Sequence, residues 1–575
     1  MHTFASMKNS LFLSVLAGTV QAALAQGVVP PAPAASTASP TAITVDFASK
    51  VGPYKPIYSW FGYDEANYTT MRDGKKLLGE LRDLSPVPVY IRAHHLLTSG
   101  DGKAELKFSS TNVYTEDASG KPVYDFKILD GIFDEYKAAG VRPMVEFGFM
   151  PKDLAAEVPG RSEYQVHYPK SAISGASNNP PKDYAKWGAL IRAVTQHFVE
   201  RYGKETVLTW YFEVWNEPDI DYWHAKPEDY WKLYDYAVAN VKAVLPTARV
   251  GGPATTSPSS EKAYNYLKGF LDHVQAGKSL ADGKAIPLDF ISFHAKGRPT
   301  IVDQRVTMGI KHELADADRG FYLISQYPKY RGLPIILSEA DPEGCAACSS
   351  RVNPANNYRN GTLYPAYTAA AYKALFDLQD KHKVNLLSML SWSFEFEDKD
   401  YFEGFRSLST NGINKPVLNL FRMLGMMSGT RVATTSTGSV SLDTLVSTGV
   451  RDKADVDALA AIDDHKATVL LWNYHDADKV DAPTPTSVKL SGLPATAKRV
   501  LVQHYRIDET HSNAYTVWKA MGSPQQPTTE QYQQLKAVDG LQLLTSPTWV
   551  DVEGGRLELN TELPRQGISL VRITW

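Results

Sequence analysis

Two glutamates stand where apolar runs stop. Thr209–Trp215 (TWYFEVW) reads as a buried strand and breaks into Asn216-Glu217-Pro218; Pro334–Ser338 (PIILS) breaks into Glu339-Ala340-Asp341-Pro342. Proline cannot continue a strand ladder, so Pro218 fixes where the first strand stops; the second run is likewise expected to end in its carboxylate, Glu339. A lone Glu-Pro would be read as an ordinary strand-to-helix turn. Two such strands are different, because in a parallel barrel the C-terminal strand ends form the floor of the active site, and both carboxylates would project into one cleft. Paired carboxyl groups are what glycoside hydrolysis needs: about 5 Å apart for retention, wider for inversion. Asn216 supplies an amide for a sugar hydroxyl, and the aromatic residues before it suit Glu217 to the acid/base role. Glu339, ionised and held by nearby donors, would be the nucleophile.

The elements that must position these groups alternate. Strands are expected at Tyr58–Gly62, Pro88–Arg92, Arg142–Gly148, Thr209–Trp215, Arg249–Gly252, Leu288–His294, Pro334–Ser338 and Leu386–Phe394. Between and after them the helical spacing of apolar residues predicts helices, among them Tyr68–Leu84, Lys182–Tyr202, Pro227–Leu245 and Asp303–Tyr327. Eight β-then-α units predict an α/β fold, a (β/α)8 TIM barrel over residues 42–430, with Glu217 on strand four and Glu339 on strand seven. Beyond residue 430, short β-like runs such as Ala467–Tyr474, Arg499–Tyr505 and Ile568–Trp575 predict a C-terminal β-sandwich accessory domain, 431–575. A strand at 42–48 is expected to join the sandwich rather than the barrel.

The chain has 575 residues, a net charge of -3 and 21% charged residues, which argues against a nucleic-acid or polyanion partner and for a neutral one. Its 11 Trp and 31 Tyr suit stacking on sugar rings, and equally a large packed barrel. Residues 1–25 resemble a signal peptide: Lys8, a short apolar run from Leu11 to Ala17, then Ala23-Leu24-Ala25. A Pro/Ala/Ser-rich linker follows at 26–41. The expectation is a secreted or periplasmic chain with no membrane partner, no cofactor and no metal site. Cys345 and Cys348 are the only cysteines, and in such a chain a disulfide between them is expected. Asn67 and Asn360 open N-glycosylation sequons.

WNEPD at 215–219, Glu339 122 residues beyond Glu217, and DFISFHAKG at 289–297 together resemble glycoside hydrolase family 39, which holds β-xylosidases and α-L-iduronidases. HYRIDETHSNAYTVWKAMGSP at 504–523 resembles the accessory β-domain of these enzymes. The resemblance implies that Asn216 holds the sugar 2-hydroxyl, that His294 lies beside the nucleophile, and that His94, or its neighbour His95, binds sugar hydroxyls. Glu146 at the end of strand three, and Trp392 and Glu395 at the end of strand eight, are further candidate contacts. Lys296 departs from the aromatic residue usual in the β-xylosidases. His294-x-Lys296-Gly297 and Glu339-Ala340-Asp341-Pro342 match the iduronidases, in which the lysine would pair with a substrate carboxylate. The reading is a retaining exo-glycosidase acting on a β-D-xyloside or α-L-arabinofuranoside of plant cell-wall polysaccharide. The alternatives are a uronic-acid-directed hydrolase and a non-catalytic carbohydrate-binding protein.

Overall fold

The computed structural model describes residues 39–167 and 175–575. The signal segment at 1–25 and the linker up to residue 38 lie outside the described residues. Residues 40–575 form one compact unit. No helix among the described residues is long and apolar enough to cross a membrane.

Eight parallel strands close a barrel: β1 (Trp60–Tyr63), β2 (Tyr90–Ala93), β3 (Arg142–Phe147), β4 (Tyr211–Val214), β5 (Arg249–Thr255), β6 (Phe290–Lys296), β7 (Pro334–Asp341) and β8. β8 is two segments, Asn385–Met389 and Ser391–Trp392, split at Leu390. The first pairs with β7 and the second with β1, where Ser391 lies opposite Phe61. Each strand shows period-two division of labour. Phe61, Ile91, Val145, Phe212, Val250 and Ile291 belong to the large core shared with the helices. Trp60, Tyr90, Met144, Tyr211, Phe290, Ile336 and Leu390 form a separate cluster that fills the barrel. β5 contributes no apolar side chain there: a Cβ on Gly251 would lie 2.3 Å from the Phe290 carbonyl oxygen, and Arg249 lies over the Tyr211 ring instead. Two residues further along the strands the barrel interior changes from aromatic to ionic, with Arg92, Glu146 and Glu213 all fully buried.

Several boundaries differ from the sequence expectation. β7 does not stop at Ser338 but runs on through Glu339 to Asp341, where Asp341 still pairs with Lys296 of β6 and Pro342 then ends it. The helix expected from Tyr68 begins as a 3-10 turn, Ala66–Thr70, and becomes α-helical at Arg72–Asp83. The helix expected from Asp303 starts only at Ile310 and ends at Ser325. Before it, Thr300–Val302 and Arg305–Thr307 form a hairpin turned at Asp303 and Gln304, both with positive φ.

The accessory domain is one continuous ten-stranded sheet that also takes in Thr41–Pro53. That N-terminal strand pairs antiparallel with Thr430–Ser436 and parallel with Thr484–Ser491. Both faces of its central strands are apolar. Ala458, Ala460, Val469, Leu471, Val571 and Ile573 line the sheet's own core. Their neighbours Leu459, Leu470, Trp472 and Leu570 belong to the core of the barrel helices. The sheet is therefore fused to the barrel by burial of apolar surface, the dominant stabilising term in such a junction. The domain also carries helices at Ala514–Ala520 and Thr529–Val538.

Candidate active site

β4 ends in a backbone kink. Trp215 and Glu217 both adopt positive φ, 72° and 46°, a conformation that costs a non-glycine residue on the order of 1 kcal/mol or more and persists only where the surroundings enforce it. The enforcement is visible. Trp215 Nε1 donates to the Tyr222 carbonyl at 2.8 Å, Glu217 N donates to the Ala254 carbonyl at 2.9 Å, and Asp219 Oδ1 accepts from Thr256 N at 2.9 Å. The acid loop after β4 is thus tied to the end of β5.

Glu217 and Glu339 meet across His294 at the end of β6. His294 Nδ1 is 2.8 Å from Glu217 Oε1, and its Nε2 is 3.8 Å from Glu339 Oε1. The other Glu339 oxygen, Oε2, lies 2.7 Å from Lys296 Nζ, which also contacts Asp341 Oδ2 at 2.6 Å. Arg92 Nη1 and His94 Nε2 approach Oε1 at 3.3 and 3.6 Å. Burial alone would raise the Glu339 carboxyl. Lys296, then His294 and His94, outweigh it and hold the group well below its ordinary value of 4.5.

Beneath the nucleophile, Arg92 is the hub. Its Nε donates to Glu213 Oε2 at 2.6 Å and its Nη2 to Asn216 Oδ1 at 2.9 Å; the same Nη2 pairs with Glu146 Oε2 at 2.7 Å. Asn216 therefore accepts through its oxygen, which leaves its amide NH2 as a donor. Burial pushes the Glu146 carboxyl up to about 7, against the pull of His94 and Arg92. His94 sits between Asp64 Oδ1, 2.7 Å from its Nδ1, and Glu146 Oε2, 3.3 Å from its Nε2. Burial would lower its pKa, but Glu146, Asp64 and Glu339 raise it to about 10.

The structure distinguishes the two adjacent histidines. His94 faces the carboxylates, whereas His95, at φ 63°, turns to Phe108 and Phe149, and its Nδ1 lies 3.1 Å from Thr98 Oγ1. Burial, then the neighbouring His94 charge, lowers His95 to about 3. Trp392 lies against His94, ring centroids 4.2 Å apart, and Gly62 opposite must be glycine, because a Cβ there would fall 2.4 Å from the indole. Of the residues expected at the site, Glu217, Glu339, Asn216, His94, His294, Lys296, Glu146 and Trp392 converge. Glu395 does not join them. Its oxygens accept from Gly412 N at 2.8 Å and from Ser409 Oγ, closing the small hairpin of Ser409–Thr410 and Ile413–Asn414. Arg92, Glu213, Asp64 and Asp341 were not expected from sequence.

Cys345 and Cys348 are disulfide-bonded in the loop after β7. Both sequon asparagines are buried. The Asn67 amide donates to the Ser110 carbonyl at 3.0 Å, and that of Asn360 to the Phe402 carbonyl at 2.8 Å, so neither amide nitrogen is available on the folded chain.

The model of the glycosyl hydrolases family 39 matches residues 86–551. The chain belongs to glycoside hydrolase family 39. It is a glycosidase whose substrate is a carbohydrate. A relative, the β-xylosidase of Geobacillus stearothermophilus, is 28% identical over 503 residues, 84% of this chain and 86% of that protein. The α-L-iduronidase of Homo sapiens is 25% identical over 415 residues, 68% of this chain and 60% of that protein. A monomeric β-xylosidase from Caulobacter crescentus CB15 shares the fold, with a TM-score of 0.72 at 22% identity, covering 93% of this chain and 99% of that one.

Proposed function

We propose that this family 39 enzyme is a secreted, retaining exo-glycosidase that releases pentose, β-D-xylose or α-L-arabinofuranose, from plant cell-wall polysaccharide. The observation that carries the reading is the pair of carboxylates, one just after β4 and one on β7, that flank one imidazole. Glu339, kept ionised by Lys296 and the histidines, attacks the anomeric carbon; Glu217 protonates the leaving oxygen and then deprotonates the water that releases the sugar. Asn216, oriented by Arg92, donates to the 2-hydroxyl, a contact that strengthens in the transition state. Loops after β2 and β3 are laced together, Leu97 N to Gly148 O and Phe149 N to Thr98 Oγ1, forming a wall that suits a pocket open at one end. A neutral sugar is favoured because Lys296 already has two carboxylate partners. Secretion rests on the N-terminal pattern and is compatible with the disulfide.

A uronic-acid-directed activity is the second reading, motivated by Lys296 beside the nucleophile. A panel of nitrophenyl β-D-xyloside, α-L-arabinofuranoside and α-L-iduronide, with wild type and Glu217→Ala, separates the two. Hydrolysis of a pentoside with first-formed product of unchanged anomeric configuration by NMR is expected. Activity confined to the iduronide, or inverted product, overturns the substrate or the mechanism respectively.

A further inference from the structure

Beyond the nucleophile, cations and carboxylates interleave along the loop after β7. Lys296 bridges Glu339 and Asp341. Arg406 Nη2 reaches the same Asp341 oxygen at 3.5 Å, and its Nη1 lies 2.7 Å from Glu343 Oε1. Arg359 Nε stands 3.5 Å from that Glu343 oxygen. Arg406 Nε donates to the carbonyl of Trp392 at 3.1 Å, which sets the guanidinium behind the Trp392 side of the pocket. All three groups are buried, Arg406 fully and Arg359 and Glu343 at 3% and 7% exposure.

The loop backbone has anchors that do not use the Glu343 side chain, among them Arg406 Nη1 on the Glu343 carbonyl. Arg359 Nη1 already binds the carbonyls of Cys348 and Gly404, at 2.8 and 3.0 Å, and Arg406 N donates to the Ala346 carbonyl at 2.7 Å. What the Glu343 side chain adds is one negative charge between two guanidinium groups. Its Oε2 and Arg406 Nη2 are both buried without a hydrogen-bond partner, so the pair retains unmatched acceptor and donor capacity. Two buried arginines, linked to the nucleophile only through Asp341 and Lys296, would, without that carboxylate, form a receptor for an anion, since the guanidinium fork matches carboxylate geometry.

We propose that Glu343 is a specificity-determining residue: it supplies from the protein the carboxylate that Arg406 and Arg359 would otherwise offer to a uronic acid. It thereby confines the pocket to sugars with no charge on C5. A uronate meets like charge from Glu343 and finds both guanidinium groups already facing a carboxylate, which is discrimination by repulsion as much as by fit. A pentopyranose has no C5 substituent and loses nothing. The inference rests on the pentoside reading above and names the group that enforces it.

The test compares kcat/KM for nitrophenyl β-D-xyloside and nitrophenyl β-D-glucuronide, which differ by one carboxylate on C5, and the inhibition constants of free xylose and glucuronate against whichever pentoside the enzyme hydrolyses. The proteins are wild type, Glu343→Gln and the charge-balanced Glu343→Gln/Arg359→Gln. Glu343→Gln is expected to shift both ratios toward the uronic acid by at least about tenfold, the order of one charge-assisted hydrogen bond. The double variant, with one guanidinium fewer, is expected to shift them less, and it keeps the readout should the single variant fold poorly. Unchanged ratios with both activities falling together overturn the inference and leave Glu343 a structural ion-pair partner. A wild type inactive on every pentoside overturns the reading beneath it instead.

Discussion

His294 Nδ1 stands 2.8 Å from Glu217 Oε1 on a ring with no solvent exposure, and the opposite nitrogen of that ring points to Glu339. One imidazole thus hydrogen-bonds Glu217 and stands within ion-pair range of Glu339, its Nε2 having no hydrogen-bond partner. Replacing it with phenylalanine keeps the volume and removes both contacts. His294→Phe is expected to lower kcat by about 10²–10³, the order seen when one preorganised donor is lost from an active site. Kinetics on aryl glycosides of graded leaving-group pKa show which contact matters. A loss that grows as the leaving group worsens assigns it to Glu217; a uniform loss assigns it to Glu339. An unaltered kcat would remove His294 from the machinery.

Arg92 gathers Glu213, Glu146, Asn216 and Glu339 around one fully buried guanidinium. Arg92→Met leaves three carboxylates facing a methyl thioether. The expected cost is about 3–5 kcal/mol of stability, the usual penalty for removing one partner of a buried pair. Arg92→Lys keeps the charge but cannot address partners in several directions from a planar fork. It is expected to retain most of the melting temperature while losing kcat, because Asn216 and Glu339 are no longer held together. Equal melting of Arg92→Met and wild type would show that the clamp contributes nothing.

The Glu146 carboxyl, pushed by burial from 4.5 up to about 7, makes stability depend on pH in a defined direction. The folded state holds the proton to about 7, whereas the unfolded chain releases it near 4.5. The contribution is therefore full below 4.5 and declines as pH rises through about 7. Glu395, raised by burial to about 7, adds a slope of the same sign. Melting temperatures from about pH 4 to about pH 8 should fall on the alkaline side, and Glu146→Gln should flatten part of that fall. A Glu146→Gln curve parallel to wild type refutes the assignment. Glu339 has the opposite sign: depressed below 4.5, it stays ionised in mild acid, and the acid limb of kcat/KM is expected below that value.

The strands carrying the reacting carboxylates were legible because a buried strand is an apolar run and a proline stops it. The barrel is legible from the alternation of strands and helices, and the accessory sheet from the short β-like runs that replace it after residue 430. Period two places Arg92 on the same face as Tyr90 and His94, and an acid such as Glu213 inside an apolar strand demands a buried partner, but neither sign names which residue answers the other across the barrel. The hairpin at Asp303 and Gln304 resembles a helix start in sequence because its tight turn lacks the glycine that usually marks positive φ. The helix at Thr529–Val538 carried a legible sign, the Thr528 and Gln531 capping box. Glu395 shared the end of β8 with Trp392, but its pairing with Ser409 and Gly412 depends on contacts formed only after the loop folds back.

The Cys345–Cys348 bridge closes a loop of only three residues' separation, so its entropic effect on the unfolded chain is small, about 2 kcal/mol. The loop has other anchors. Arg359 holds the Cys348 carbonyl, and Arg406 N holds the Ala346 carbonyl. Cys345→Ser/Cys348→Ser is therefore expected to lower the melting temperature modestly and to leave kcat within about threefold of wild type, since the loop stays clipped by two buried arginines on either side of Glu343. Kinetics and melting of the double variant, beside wild type treated with a thiol reductant, check this. A collapse of activity in both would mean that the bridge, rather than the arginines, sets the position of the segment following the nucleophile.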